Sequence, residues 1–156
     1  VEFQKIISGG QTGVDRAALD VALTAGVRTG GWCPNGRIAE DGILPECYIL
    51  KETPQKRYSQ RTEWNVRDSD GTLILSTDPL TGGTAFTLKV AKRLKKPCLV
   101  VNINDFENRG DDVFNWLKKC CIETLNIAGP RETSCPGIYE KAYGFLVSVI
   151  RRTESR

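Results

Sequence analysis

The sequence predicts an α/β protein, a Rossmann-like, doubly wound, mostly parallel sheet flanked by helices on both faces. Short apolar runs alternate with segments of helical periodicity from end to end. Those runs are continuously apolar, as expected of parallel strands covered on both sides. Right-handed crossovers then wind the chain over both faces of one sheet. The 156 residues, 40% of them hydrophobic, suit a single ligand-binding domain over residues 1–152, with a frayed tail at 153–156.

The elements follow in order. Lys5-Ile6-Ile7-Ser8 is a strand that stops at glycines. Val14, Ala17, Ala18, Val21, Ala22 and Ala25 have helical spacing, and Gly26 ends that helix. With Leu19 and Leu23 the helix is apolar almost all round, hence buried. Val27 to Trp32 and Cys47 to Leu50 are short strands around a loop from Gly36 to Pro45. Ser59 to Ser69 is a polar helix with Arg61, Glu63, Arg67 and Asp68 exposed. Thr72 to Leu75 is a strand, and Thr84 to Lys95 a helix whose terminal cations complement its dipole. Cys98 to Val101 is the strongest strand. Val113, Phe114, Leu117, Cys120 and Cys121 form one helical face, Thr124 to Ala128 the last strand, and Ile138 to Val149 the last helix. The polar segment from Arg151 is expected to fray.

Composition narrows the chemistry. No histidine is present, which excludes Ser-His-Asp and Cys-His catalysis and histidine-bound zinc. The six cysteines form no C-x-x-C pair, and a disulfide framework is not expected. A net charge of +3 is too small and scattered to argue for nucleic acid. No run approaches the ~18 apolar residues of a membrane span. The sequence given shows no signal-peptide h-region, so the expected location is cytoplasmic.

Three strand-to-helix loops could hold an anion. Ser8, Gly9, Gly10, Gln11, Thr12, Gly13 and Asp15 form the first. Glycines permit close backbone approach, and a helix N-terminus offers unpaired N–H groups. It matches neither a Walker A loop nor G-x-G-x-x-G; the alternative is a tight turn with Asp15 as a capping carboxylate. The second, Ser76 to Thr84, holds Thr81, Gly82, Gly83 and Thr84 at a helix start. The third, Ala128 to Gly137, carries Arg131, able to grip an oxyanion bidentately, beside Glu132. A fourth segment offers Trp32 as a stacking surface, with Arg37, Glu40 and Asp41 as polar partners. Together these suit a ligand with a phosphate-like group and a planar heterocycle.

The run Ile7-Ser8-Gly9-Gly10-Gln11-Thr12-Gly13-Val14-Asp15-Arg16-Ala17, with Gly31-Trp32-Cys33-Pro34, Gly36-Arg37-x-Ala39-Glu40-Asp41-Gly42 and Thr81-Gly82-Gly83-Thr84, resembles the "putative molybdenum carrier" family. This is the circularly permuted YpsA-like branch of the SLOG superfamily. The resemblance implies a Rossmann-like fold, a nucleotide-type site at the strand ends, self-association into a homo-oligomer, and carriage of molybdenum cofactor (molybdopterin). Cytokinin-activating relatives in the superfamily cleave nucleoside monophosphates with a glutamate after a Gly-Gly-x-Gly-Thr stretch. Here Thr81 to Leu88 lacks that glutamate, although Glu40, Asp41 or Glu132 could substitute. The expectation is therefore binding of a phosphorylated small molecule rather than catalysis, with a nucleotide-processing enzyme or a nucleotide sensor as alternatives.

Overall fold

Residues 4–77 and 79–155 are described by the computed structural model. The lead-in to the first strand, loop residue Asp78 and the end of the expected tail lie outside them. The first strand, β1 (Lys5–Ile7), leads into α1 (Val14–Ala25), which Gly26 closes at φ 72°. β2 (Arg28–Gly30) follows, then β3 (Trp32–Cys33), the hairpin β4 (Ile38–Ala39) and β5 (Gly42–Ile43), and β6 (Lys51–Glu52). Next come α2 (Tyr58–Arg67), β7 (Gly71–Ser76), α3 (Gly82–Arg93) and β8 (Cys98–Asn102). A 3-10 turn at Ile103–Asp105 precedes α4 (Phe106–Lys119), β9 (Thr124–Ala128) and α5 (Ile138–Glu154).

The main sheet has five parallel strands in the order β2-β1-β9-β7-β8. The last strand is inserted at the centre. If the β9–α5 unit preceded β1, the order would read 3-2-1-4-5, that of a doubly wound dinucleotide fold. The topology is thus a circular permutation of that arrangement. Helices α1, α4 and α5 pack together, while α2 packs with α3. The direction of winding therefore changes between β9 and β7, and a crevice opens at their carboxyl ends.

The core explains this layering. Ile6, Leu73, Leu75, Leu125 and Ile127 of the sheet are at most 1% exposed and pack against the apolar faces of α1, α4 and α5. Val66 of α2 and Val90 and Ala91 of α3 cover the other face. A third cluster, Leu19, Cys33, Leu44 and Leu50, seats the segment between β3 and β6 against α1.

Several expected elements differ. Gly31, at φ 119°, breaks the Val27–Trp32 segment, so Trp32 and Cys33 pair with Lys51 and Glu52 in a separate two-stranded sheet. Cys47 to Leu50 is not a strand, because its backbone turns on itself through Tyr48 N–H to Pro45 O. β8 is an edge strand with mostly half-buried residues, whereas β7 is buried at all six positions. α4 stops before Cys121, whose φ of 52° cannot continue a helix. α5 continues through Glu154, since Arg152 donates to Asp111 at 3.1 Å and Thr153 to Ile150 O at 2.6 Å. The tail expected to fray is helical over that stretch.

Arg37 organises the 36–50 excursion. Its guanidinium donates to the carbonyls of Tyr48 and Pro45 at 2.8 and 2.9 Å, with longer approaches to Leu50 and Leu44. Arg37→Ala is expected to cost about 2 kcal/mol, the loss of charge-assisted bonds to the backbone. Limited proteolysis should then cut first within residues 36–50; unchanged cleavage would contradict this role.

Candidate functional site

The first loop is turned in on itself. Ser8 Oγ donates to the Asp15 carbonyl at 2.9 Å and accepts the Gly10 N–H at 3.4 Å. Asp15 Oδ2 accepts the Gln11 N–H at 3.3 Å, and Gln11 Oε1 accepts the N–H groups of Thr12 and Glu40 at 3.0 and 2.9 Å. Val14 N–H bonds Pro130 O at 3.2 Å. The loop thus supplies acceptors for its own Gly10, Gln11 and Thr12 N–H groups, and Asp15 serves the loop rather than capping α1, whose N-cap Gly13 has no side-chain capping bond. A Cβ on Gly10 would meet Leu50 and Leu44 at 2.8 and 2.9 Å, and one on Gly13 would meet Pro130 O at 2.3 Å. Both glycines permit internal packing.

The third loop is filled in the same way. Glu132 accepts the N–H groups of Gly137 and Tyr139, at 2.8 and 3.0 Å, so the first turn of α5 already holds a carboxylate. Glu40 accepts bonds from Thr12 Oγ1 and from Thr133 Oγ1 and N–H, with Arg131 at 3.6 Å. Partial desolvation pushes its carboxyl up, but those bonds and Arg131 outweigh it and hold the group below the usual range. Asp41 is paired with Arg16 at 3.0 Å, which holds its carboxyl below the usual range despite some desolvation. These contacts lock the second half of the fourth segment onto the first and third loops.

The second loop is different. α3 starts at Gly82, two residues before the expected Thr84, and its N-cap Thr81 makes no side-chain capping bond. The N–H groups of Gly82, Gly83 and Thr84 have no hydrogen-bond partner among the described residues. A Cβ on Gly82 or Gly83 would meet nothing within 4 Å. Ser76 and Thr84 are 2% and 7% exposed, yet neither hydroxyl has a partner among the described residues. No fully enclosed side-chain polar atom among those residues is unpaired. These hydroxyls therefore open onto the adjoining space, a cavity of about 410 Å³.

The cavity lies in the crevice between β9 and β7. The α3 turn and Ser76 form one side, with Gly129, Pro130 and Arg131 after β9 on the other. Gly9, Gln11 and Asp15 reach it from the first loop. Phe86 and Tyr58 add aromatic surface, and Asn65 and Asn126 add amides. Asp15 is 6% exposed; burial pushes its carboxyl above the usual range although Arg61 and the Gln11 amide pull it down. Arg61 Nη1 donates to Gly9 O at 2.8 Å and lies 3.8 Å from Asp15 Oδ2, while Nη2 has no partner among the described residues. The arrangement provides neutral N–H and O–H donors on one side and a compensated charge pair on the other. Such a site can take an oxyanion attached to a larger, partly apolar body.

Of the residues expected at the site, Gly9, Gln11, Asp15, Thr81, Gly82, Gly83, Thr84 and Arg131 converge on this cavity. The others do not. Ser8 and Gly10 are buried under the first loop, and Thr12 and Gly13 join it to the third. Glu40, Asp41 and Glu132 serve as acceptors outside the cavity. Arg37 is spent on backbone carbonyls. Trp32 lies away from the cavity, where its Nε1–H donates to Asp68 at 2.7 Å and its ring meets Trp64 edge-on.

The helix expected at Ser59 to Ser69 forms as α2, but its place in the cavity wall was not expected. Tyr58, Arg61, Thr62 and Asn65 line the cavity, and Arg61 is 9% exposed rather than a surface residue. The spacing 58, 61, 62, 65 is a helical face, and it is polar because it faces a polar crevice. Ser76 and Thr77 of the second loop also reach the cavity, and Asn126 of β9 was missed.

Comparison with known proteins gives a consistent picture. A model of the circularly permutated YpsA SLOG family matches residues 6–150. The 1.45 Å crystal structure of a "putative molybdenum carrier protein" from Syntrophus aciditrophicus SB is similar at 47% identity, over 95% of each chain, with a TM-score of 0.93. No curated protein matches this chain. Among the described residues no helix is long and apolar enough to cross a membrane.

Proposed function

The chain belongs to the circularly permutated YpsA SLOG family, and on that premise we propose that it binds a phosphorylated heterocyclic ligand in the crevice between β9 and β7. The open donor set of the α3 turn carries this reading: three unpartnered N–H groups with the hydroxyls of Ser76 and Thr84. The ligand's phosphate lies on that turn, favoured by the positive end of the helix dipole. Arg61 adds positive potential from across the cavity. The heterocycle occupies the remaining space beside Phe86 and Tyr58, where Asn126, its Nδ2 bonded to Thr72, keeps Oδ1 without a partner among the described residues, while Asn65 is held by the Trp32 backbone.

The cargo favoured here is molybdenum cofactor, because the structural neighbour is named for carrying molybdenum. A phosphate monoester on a planar pterin suits a donor turn beside an aromatic-walled cavity. Among the described residues no group of three or more His, Cys, Asp or Glu could hold a metal ion. The chain therefore grips the phosphate and the ring, and the cofactor's own dithiolene carries the metal.

A nucleotide-processing enzyme is the second reading, favoured by one observation. Asp15 is the only carboxylate among the described lining residues, and its raised proton affinity suits a proton donor. Glu40, Asp41 and Glu132, the substitutes considered for the missing motif glutamate, point their bonds elsewhere.

One experiment separates the readings. The protein is purified from a host that makes the cofactor, then assayed for molybdenum and for the fluorescence of oxidised pterin. In parallel it is titrated with the four nucleoside 5′-monophosphates while free base and free phosphate are monitored. Co-purified pterin that falls several-fold in Ser76→Ala supports the carrier reading. Rapid release of base or phosphate, abolished in Asp15→Asn, would replace it with the enzymatic one. Absence of pterin and of any monophosphate binding would overturn both.

A further inference from the structure

We propose that Gln11 and Arg61 select the ligand's ring by its exocyclic group, favouring a ring that carries an oxygen beside a ring N–H over one that carries an amino group. This rests on the reading above and narrows its ligand class to oxo-heterocycles such as hypoxanthine, guanine or a pterin.

Gln11 is 6% exposed and lines the cavity. Its Oε1 accepts the N–H groups of Thr12 and Glu40 at 3.0 and 2.9 Å. An amide nitrogen can accept neither bond, so the side chain is fixed in one of its two orientations. The Nε2 group, with two hydrogens to give, has no partner among the described residues. No fully enclosed side-chain polar atom among those residues is unpaired, so Nε2 opens onto the space that Gln11 lines. The side chain is a donor held in place by its own acceptor end.

A second donor lies at the same end of the cavity. Arg61 is 9% exposed, and its Nη1 donates to the carbonyl of Gly9, in the same loop as Gln11, at 2.8 Å. Its Nη2 has no partner among the described residues. The guanidinium carbon lies 5.1 Å from the centre of the Tyr58 ring, which is part of the aromatic surface beside the heterocycle. Asp15 is the acceptor next to both residues. Its Oδ2 takes the Gln11 backbone N–H at 3.3 Å and is 3.8 Å from Arg61 Nη1.

Two donors beside one acceptor discriminate between rings. A carbonyl oxygen has two lone pairs and can take both donors, while the ring N–H next to it goes to Asp15. An amino-substituted ring fits less well. Whichever acceptor its amino group finds, it brings to the donors only ring nitrogens with one lone pair each. Turned the other way, its amino hydrogens face Gln11 and Arg61. A buried donor is then left unmet, and that desolvation cost sets the preference. The tip of the Gln11 side chain makes this contact, so the backbone N–H groups of Gly10, Gln11 and Thr12 keep the acceptors they already have.

The test compares IMP with AMP, which share phosphate and ribose and differ only at this edge of the ring, by isothermal titration. IMP is expected to bind about ten-fold more tightly, the scale of one buried donor left without a partner. Gln11→Glu keeps an oxygen for the Thr12 and Glu40 N–H groups and puts an acceptor where the donor was, so it should narrow the ratio several-fold, mainly by weakening IMP. Equal or tighter binding of AMP by the unmodified protein would overturn the ring selection while leaving the phosphate-binding reading intact. Failure of both nucleotides to bind would overturn the two together. An unchanged ratio in a Gln11→Glu protein that melts like the unmodified one would overturn the role given to Gln11. If that variant does not fold, the nucleotide pair on the unmodified protein still decides the selection.

Discussion

Arg61→Met is expected to destabilise the chain by about 3 kcal/mol, the scale seen when one partner of a buried ion pair is removed. Arg61 and Asp15 have side chains only 11% and 9% exposed, so Asp15 would be left buried without its cation. The loss should depend on pH in a definite direction. Burial already holds the Asp15 carboxyl above its ordinary 3.8 in the fold, and removing Arg61 raises it further. A folded-state value above the unfolded one gives stability that is complete below the unfolded value. That stability is lost as pH rises through the folded value. Urea denaturation should therefore find the variant close to the unmodified protein near about pH 4 and weakest at neutral pH. Adding Asp15→Asn should restore most of the neutral-pH stability without restoring ligand affinity. A deficit that does not change with pH would show that Arg61 acts through packing against Gly9 and Tyr58 instead.

Gly83→Val is expected to weaken ligand binding by about 100-fold, or about 2.7 kcal/mol, with little change in thermal stability. Gly83 is in the first turn of α3 and lines the cavity, and a Cβ there meets no atom within 4 Å. Helix propensity favours valine over glycine, so the helix itself gains slightly. The added isopropyl group stands where the anion would lie. Gly10 gives the contrasting control: a side chain there strikes Leu44 and Leu50, at the edge of the cluster that seats the 36–50 segment. Gly10→Val should therefore destabilise the fold. Of the two substitutions, only the one in α3 should separate affinity from stability in a thermal-shift titration.

Much of the architecture was legible because it rests on periodicity. β7 reads as a strand from Leu73-Ile74-Leu75, and α1 as a helix from its alanines, although it is not buried all round as expected: Leu23 is 45% exposed and Thr24 and Ala25 face solvent. The place of β9 was not legible. Its residues Thr124 to Ala128 look like any terminal strand, and only pairing with β1 and β7 puts them at the centre. The glycine-rich loops stood out as a group, but composition cannot tell an amide that faces a guest from one that faces its own chain. Ser8, Asp15 and Glu132 settle that difference, and each does so through a bond to a residue several positions away. Arg61 was misplaced for a related reason. A polar helix face normally marks solvent, and here it marks the crevice.

The central claim is that an anionic group is held by the first turn of α3. Amide chemical shifts report this directly. Titrating labelled protein with a nucleoside 5′-monophosphate should move the N–H signals of Gly82, Gly83 and Thr84 first and furthest, with the signals of Gly10, Gln11 and Thr12 nearly still. Shifts centred on Gly10 to Thr12, with the α3 turn unmoved, would contradict it.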